Sequence, residues 1–127
     1  MIVHRLPVGG GHVMHVEEHG NPAGLPVLVL HGGPGSGSSP VLRRCFDQAS
    51  YRIVCPDQRG AGQSTPRGGI EANTVDDLLA DLRALRAHLR IPRWLVVGGS
   101  WGATLALLHA LDTPEAVFYG LAIRRWN

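Results

Sequence analysis

Cysteine is scarce in this sequence: only Cys45 and Cys55 occur among 127 residues. Their separation is neither that of a metal-ligating pair nor part of a disulfide-rich framework, which argues against a metal centre and a cross-linked scaffold. Both are expected to be reduced and structural, with Cys55 serving as a small hydrophobe in an apolar strand. Long hydrophobic runs are also missing, and no stretch approaches the roughly 20 apolar residues that a membrane helix needs. Met1-Ile2-Val3-His4-Arg5 lacks the sustained apolar segment of a secretory signal, so a cytoplasmic location is expected and no membrane partner is. Charge of one sign is not in excess, since 12 basic against 10 acidic residues leave a formal charge of +2. The arginines are scattered from Arg5 to Arg125 without forming a stripe, which gives a nucleic-acid partner no support. A charged fraction of 17% is too low for a disordered tail, and 44% hydrophobic residues suffice for one ordinary core. A single domain over residues 1–127 is expected, without internal repeats.

What is present is an alternation of short apolar segments and amphipathic ones. Ile2 to Pro7 and His12 to Glu18 flank Gly9-Gly10-Gly11, whose tolerance of positive φ suits a hairpin between antiparallel strands. Pro26 to Leu30 is a continuous apolar run of the kind buried on both faces of a parallel sheet. A short helix is expected around Val41 to Gln48 and a strand at Arg52 to Cys55, closed by Pro56. Thr74 is a suitable N-cap, Asp76 and Asp77 favour the first helical turn, and Val75, Leu78, Leu82, Leu85 and Leu89 recur at helical spacing. Pro92 ends that helix. Trp94 to Val97 reads as a buried strand, Trp101 to Leu111 as a helix, and Val117 to Ile123 as a last strand. The pattern predicts an α/β fold: a mostly parallel sheet with an N-terminal antiparallel hairpin and helices on both faces.

Gly98-Gly99-Ser100-Trp101-Gly102 fits G-x-S-x-G between a predicted strand and a predicted helix, which is the setting of a nucleophile elbow. A serine held on so tight a turn is presented at the edge of the sheet, and Gly98 and Gly102 let strand and helix approach without side-chain clashes. The helix that starts near Trp101 aims free N–H groups at the place where an acyl oxyanion would form. Ser100 is therefore the candidate catalytic residue, and the Trp101 N–H a candidate oxyanion donor. His31-Gly32-Gly33-Pro34-Gly35 follows the central strand directly, where a second backbone donor is required, and Gly33 is the candidate. The phosphate-binding alternative fails, because neither G-x-x-x-x-G-K-[ST] nor G-x-G-x-x-G leading into a helix is present. No nucleotide or other cofactor is implied. His31, at the entrance of the loop, is expected to hydrogen-bond local backbone.

Those two motifs and Asp57-Gln58-Arg59-Gly60-Ala61-Gly62-Gln63-Ser64 occur in the order and approximate spacing of the proline iminopeptidases, and the chain resembles that family over nearly its whole length. G-x-S-x-G and D-x-R-G-x-G-x-S are shared widely among α/β-hydrolases. The HGGPG, DQRG and GGSWG forms together carry the narrower resemblance. It implies the α/β-hydrolase fold and a metal-free serine aminopeptidase that releases N-terminal proline from peptides through an acyl-enzyme on Ser100. By the same resemblance His31, Gly32, Pro34, Gly35, Asp57 and Arg59 support the active-site loops, with Asp57 and Arg59 in structural hydrogen bonds. Epoxide hydrolases and dehalogenases of this fold place an aspartate where this chain has Ser100.

In this fold the acid and then the histidine of the triad follow the serine along the chain. Beyond Ser100 stands one histidine, His109, and the acids Asp112 and Glu115 come after it in the wrong order. On a helix His109 lies about nine residues from the serine, roughly 13 Å of axial rise, and is expected to be a packing or surface residue. The sequence is thus expected to stop before the acid, the base, the cap and the last strands, and to be close to inactive alone. Two alternatives to the peptidase are a non-enzymatic, self-associating fragment and an esterase or amidase of the same fold. Self-association through an open sheet edge, or a complementing C-terminal segment, is the expected partnership.

Overall fold

The computed structural model describes residues 1–32, 37, 40–68 and 73–118, and the backbone of 122–124. The N-terminal hairpin is formed by β1 (Ile2–Pro7) and β2 (Val13–Gly20), antiparallel, with Ile2 opposite Glu18 and Pro7 opposite Val13. A 3-10 turn at Gly9–Gly11 joins them, and Gly10 (φ 71°) and Gly11 (φ 77°) occupy left-handed backbone that glycine adopts without steric cost. The strands β3 (Leu25–Leu30), β4 (Tyr51–Pro56), β5 (Leu95–Gly99) and β6 (Ala122–Arg124) complete a six-stranded sheet in the order β1-β2-β4-β3-β5-β6. β2 joins β4 antiparallel, and β4, β3, β5 and β6 run parallel to one another. The predicted mostly parallel sheet with an antiparallel hairpin is the observed one.

Why β3 is apolar from Val27 to Leu30 is clear from its two faces. Leu28 and Leu30 belong to a cluster with Leu78, Leu82, Leu85, Trp94 and Leu105, whereas Val27 and Val29 pack with Leu42, Ile53, Cys55 and Val97. All four of these β3 side chains are fully buried, so the strand has helices over both sides and no solvent face on which a polar residue could stand. Each such side chain contributes about 1.5–3 kcal/mol on leaving water.

The helices are α1 (Pro40–Arg43), α2 (Val75–Leu89) and α3 (Trp101–Asp112). α2 starts where its cap predicts: the Thr74 hydroxyl accepts from the Asp77 N–H, and the Asp77 carboxylate accepts from the Thr74 N–H. This reciprocal box satisfies two otherwise orphaned donors. Its end precedes Pro92, because Arg90 (φ 56°) turns the chain in left-handed backbone and its N–H closes the last turn. α1 is shorter than expected. The Asp47 carboxylate accepts from the Ala49 N–H and the Ser50 hydroxyl, and such local bonds draw the segment into turns at the expense of the helix. Of the strand expected from Val117 to Ile123, Val117 makes a bridge to Trp94 and Ala122 and Ile123 lie in β6, while residues 119–121 lie outside the described residues. Neither cysteine forms a disulfide among the described residues, Cys55 being buried and Cys45 exposed. No helix among the described residues is long and apolar enough to cross a membrane.

Candidate active site

The parallel strands β3, β4 and β5 deliver three motif segments to one edge of the sheet. Ser100 stands between the last residue of β5 and the first residue of α3, at φ 54° and ψ −119°. A non-glycine residue in such backbone costs about 1–3 kcal/mol and persists only where its surroundings over-determine it. They do so here. A Cβ on Gly98 would overlap the Gly102 carbonyl and come within 2.6 Å of the Ala103 nitrogen, and a Cβ on Gly102 would overlap the Leu30 carbonyl. Strand, bend and helix are thus pressed together at two positions where only hydrogen fits. Ser100 itself is exposed.

Gly32 is in direct contact with this bend: a Cβ there would stand 2.9 Å from the Ser100 Cβ and 2.6 Å from the Gly99 carbonyl oxygen. The structure therefore brings the start of the glycine-rich loop and the serine together. Gly33, Pro34 and Gly35 lie outside the described residues. Trp101 is the first residue of α3, where a backbone N–H has no partner within its own helix. The positive end of the helix dipole is directed at the same place.

The segment after β4 is held by hydrogen bonds of Asp57 and Arg59. The Asp57 carboxylate accepts from the Gln63 N–H at 3.0 Å, its carbonyl accepts from the Ser64 hydroxyl at 2.6 Å, and Gly37 and Gly62 crowd against the carboxylate. Arg59 donates to Asp81 through Nε at 2.7 Å and Nη2 at 2.6 Å, with both residues buried. This forked pair ties the loop to α2. The Asp81 carboxylate raises the Arg59 pKa further, while burial pushes the Asp81 carboxyl upward against the pull of Arg59. Sequence reasoning passes over Asp81, although an acid among Leu78, Leu82 and Leu85 on one helical stripe is a visible signal of a buried partner.

Gln58 is also missed by sequence reasoning. Its backbone N–H donates to His31 Nε2 at 3.0 Å, its side-chain amide donates to the His31 carbonyl at 3.0 Å, and its Oε1 accepts from the Trp101 indole N–H at 2.9 Å. With Nε2 accepting, His31 carries its proton on Nδ1, which faces the Gly32 carbonyl at 3.2 Å. His31 is thus engaged with local backbone, as expected, and has no nitrogen left to take a proton from Ser100. His109 is fully buried, and its Nε2 accepts from the Trp94 indole N–H at 3.0 Å. Burial lowers its pKa to about 4. The expected packing role holds. Among the described residues, no group of three His, Cys, Asp or Glu side chains could hold a metal ion.

Over 119 residues the chain is 53% identical to a proline iminopeptidase of Arabidopsis thaliana, covering 94% of this chain and 31% of that protein. A crystal structure of a proline iminopeptidase-related protein from Thermus thermophilus superposes with a TM-score of 0.77 at 34% identity, covering 91% of this chain and 41% of the other. An epoxide hydrolase from Vigna radiata superposes with a TM-score of 0.76 at 31% identity, covering 91% and 37%. The chain spans between 31% and 41% of the length of the curated proline iminopeptidases it matches. Residues 26–117 match the profile of the alpha/beta hydrolase fold, and with the strained serine standing at the strand-to-helix bend, the chain belongs to that family.

Proposed function

We propose that this chain supplies the nucleophile and oxyanion hole of a serine hydrolase of the proline iminopeptidase type. The observation that carries the reading is Ser100, exposed at positive φ on a bend packed against Gly32, with α3 opening behind it. The Ser100 oxygen attacks the carbonyl carbon of an N-terminal prolyl residue, and the carbonyl electron pair moves onto oxygen. That oxyanion is held by the N–H groups of Trp101 and Gly33, an interaction stronger in the transition state than in the ground state. Collapse expels the remaining peptide as an amine, whose nitrogen takes up the proton released by Ser100, and leaves a prolyl ester on Ser100, which water then hydrolyses.

The proton leaving Ser100 needs a base, and neither His31 nor His109 is free to serve as one. In this reading the acid and the histidine stand in the part of the relatives' length that this chain does not span. Loss of the histidine from such a triad costs about a millionfold in kcat, and the residual rate from oxyanion stabilisation and binding still exceeds that in water by roughly 10³–10⁴-fold. A fluorophosphonate is expected to label Ser100 slowly in this chain and rapidly once a segment carrying the acid and the histidine is supplied. Ser100→Ala is expected to remove labelling in both cases, and equal labelling of that variant would refute the assignment.

Sequence kinship with proline iminopeptidases favours peptide over ester substrates, although the acyl chemistry is common to both. A proline arylamide compared with a short acyl ester on the complemented protein separates the peptidase from an esterase. The epoxide hydrolase likeness concerns the frame. At position 100 this chain offers a hydroxyl, which needs an activating base and forms a carboxylic ester with an acyl substrate.

A further inference from the structure

The three motif segments meet at one side chain to which sequence and comparison assign no role. Gln58 is buried at 8% exposure, and both polar ends of its amide are used. The amide N–H₂ holds the last carbonyl before Gly32, and the amide oxygen holds the indole of the residue after Ser100. Only a group that donates at one end and accepts at the other satisfies both neighbours: an ionised glutamate lacks the donor, and an apolar side chain lacks both. The backbone N–H of Gln58 adds a third bond by fixing the ring of His31.

We infer that Gln58 is a positioning residue for acyl transfer at Ser100, holding the His31–Gly32 segment and the N-terminus of α3 at a fixed separation. This inference rests on the reading of Ser100 as nucleophile. Two backbone donors from different segments bind one oxyanion only while their spacing is closely held, and misplacement loses rate without unfolding the chain. The Trp101 indole is half-buried at the site, so the bond from Gln58 is also what sets the angle of that ring beside the serine.

The test uses the 127-residue chain and two readouts. In Gln58→Met, the Trp101 indole N–H is expected to lose its protection from solvent exchange by NMR, while the Trp94 indole, bonded to His109 in the core, keeps its own. Fluorophosphonate labelling of Ser100, after subtraction of the Ser100→Ala background, is expected to fall on the order of tenfold. Gln58→Glu keeps the acceptor for Trp101 and loses the donor to His31. It is expected to preserve indole protection and still to slow labelling, which a merely structural bond to Trp101 would not do. It also decides the matter if the methionine variant fails to fold. Unchanged labelling in both variants, with Ser100→Ala silent, overturns the inference and leaves the nucleophile standing. Wild-type labelling no faster than Ser100→Ala removes the nucleophile and the inference together.

Discussion

Acidification from pH 7 to pH 4.5 is expected to weaken this fold through one imidazole. His109 is fully buried, its Nε2 is occupied by the Trp94 indole N–H, and its Nδ1 has no hydrogen-bond partner among the described residues. Desolvation holds its pKa at about 4, against 6.5 for the free side chain, with Asp112 opposing the shift and Arg86 and Arg83 adding to it. The folded pKa lies below the unfolded one, so the unfolded chain binds the proton first. Stability is complete above pH 6.5 and falls as the pH drops towards 4. At pH 4.5 the unfolded histidine is about 99% charged and the folded one about a quarter charged, which corresponds to a loss of about 2 kcal/mol relative to pH 7. His109→Gln keeps an acceptor for Trp94 and cannot titrate. Urea unfolding of both proteins at the two pH values gives the coupling, and the variant is expected to lose about 2 kcal/mol less on acidification than the wild type. Equal losses would show that His109 is not held neutral by burial.

Three further outcomes follow from the same packing. Asp81→Ala leaves the buried Arg59 guanidinium without its forked partner and is expected to cost about 3–5 kcal/mol in urea, whereas replacing both residues by methionine and leucine is expected to cost far less. Equal destabilisation by the single and double replacements would refute the argument from a buried guanidinium deprived of its forked carboxylate. Gly98→Ala drives a methyl group into the backbone of Gly102 and Ala103, which cannot yield as a side chain could. It is expected to lower the unfolding free energy by about 1–3 kcal/mol and to abolish labelling of Ser100; a variant as stable and as reactive as wild type would contradict the tight elbow. We also propose that the chain self-associates through β6, which ends the strand order beyond β5, helped by Leu107 and Leu111 on the exposed side of α3. Sedimentation velocity is expected to show a concentration-dependent dimer, and a monomer at all concentrations would refute this.

The parts of the fold legible in the sequence are those dictated by local chemistry. Val27 to Leu30 can be recognised because burial on both faces removes alternation, and α2 because Thr74, Asp77 and its leucines each point to the same boundaries. α1 is overestimated because Asp47 competes for backbone that periodicity assigns to a helix. At the site, Ser100 is legible from the glycines needed around it. Asp81 shows in the sequence only as an acid on the leucine stripe of α2 and Gln58 does not stand out at all, because their partners lie 22 residues away for the pair with Arg59 and 43 residues away for the bond with Trp101. Spacing along the chain carries no trace of such pairings, and only the parallel strands bring them together.

The backbone at position 100 has a cost in durability. A glycine there would accept the left-handed bend with ease, and the resulting polypeptide would be the sturdier one by about 1 kcal/mol. Thermal selection by itself would therefore erase the hydroxyl, so a screen that rewards heat tolerance without a reactivity check should accumulate glycine at this codon.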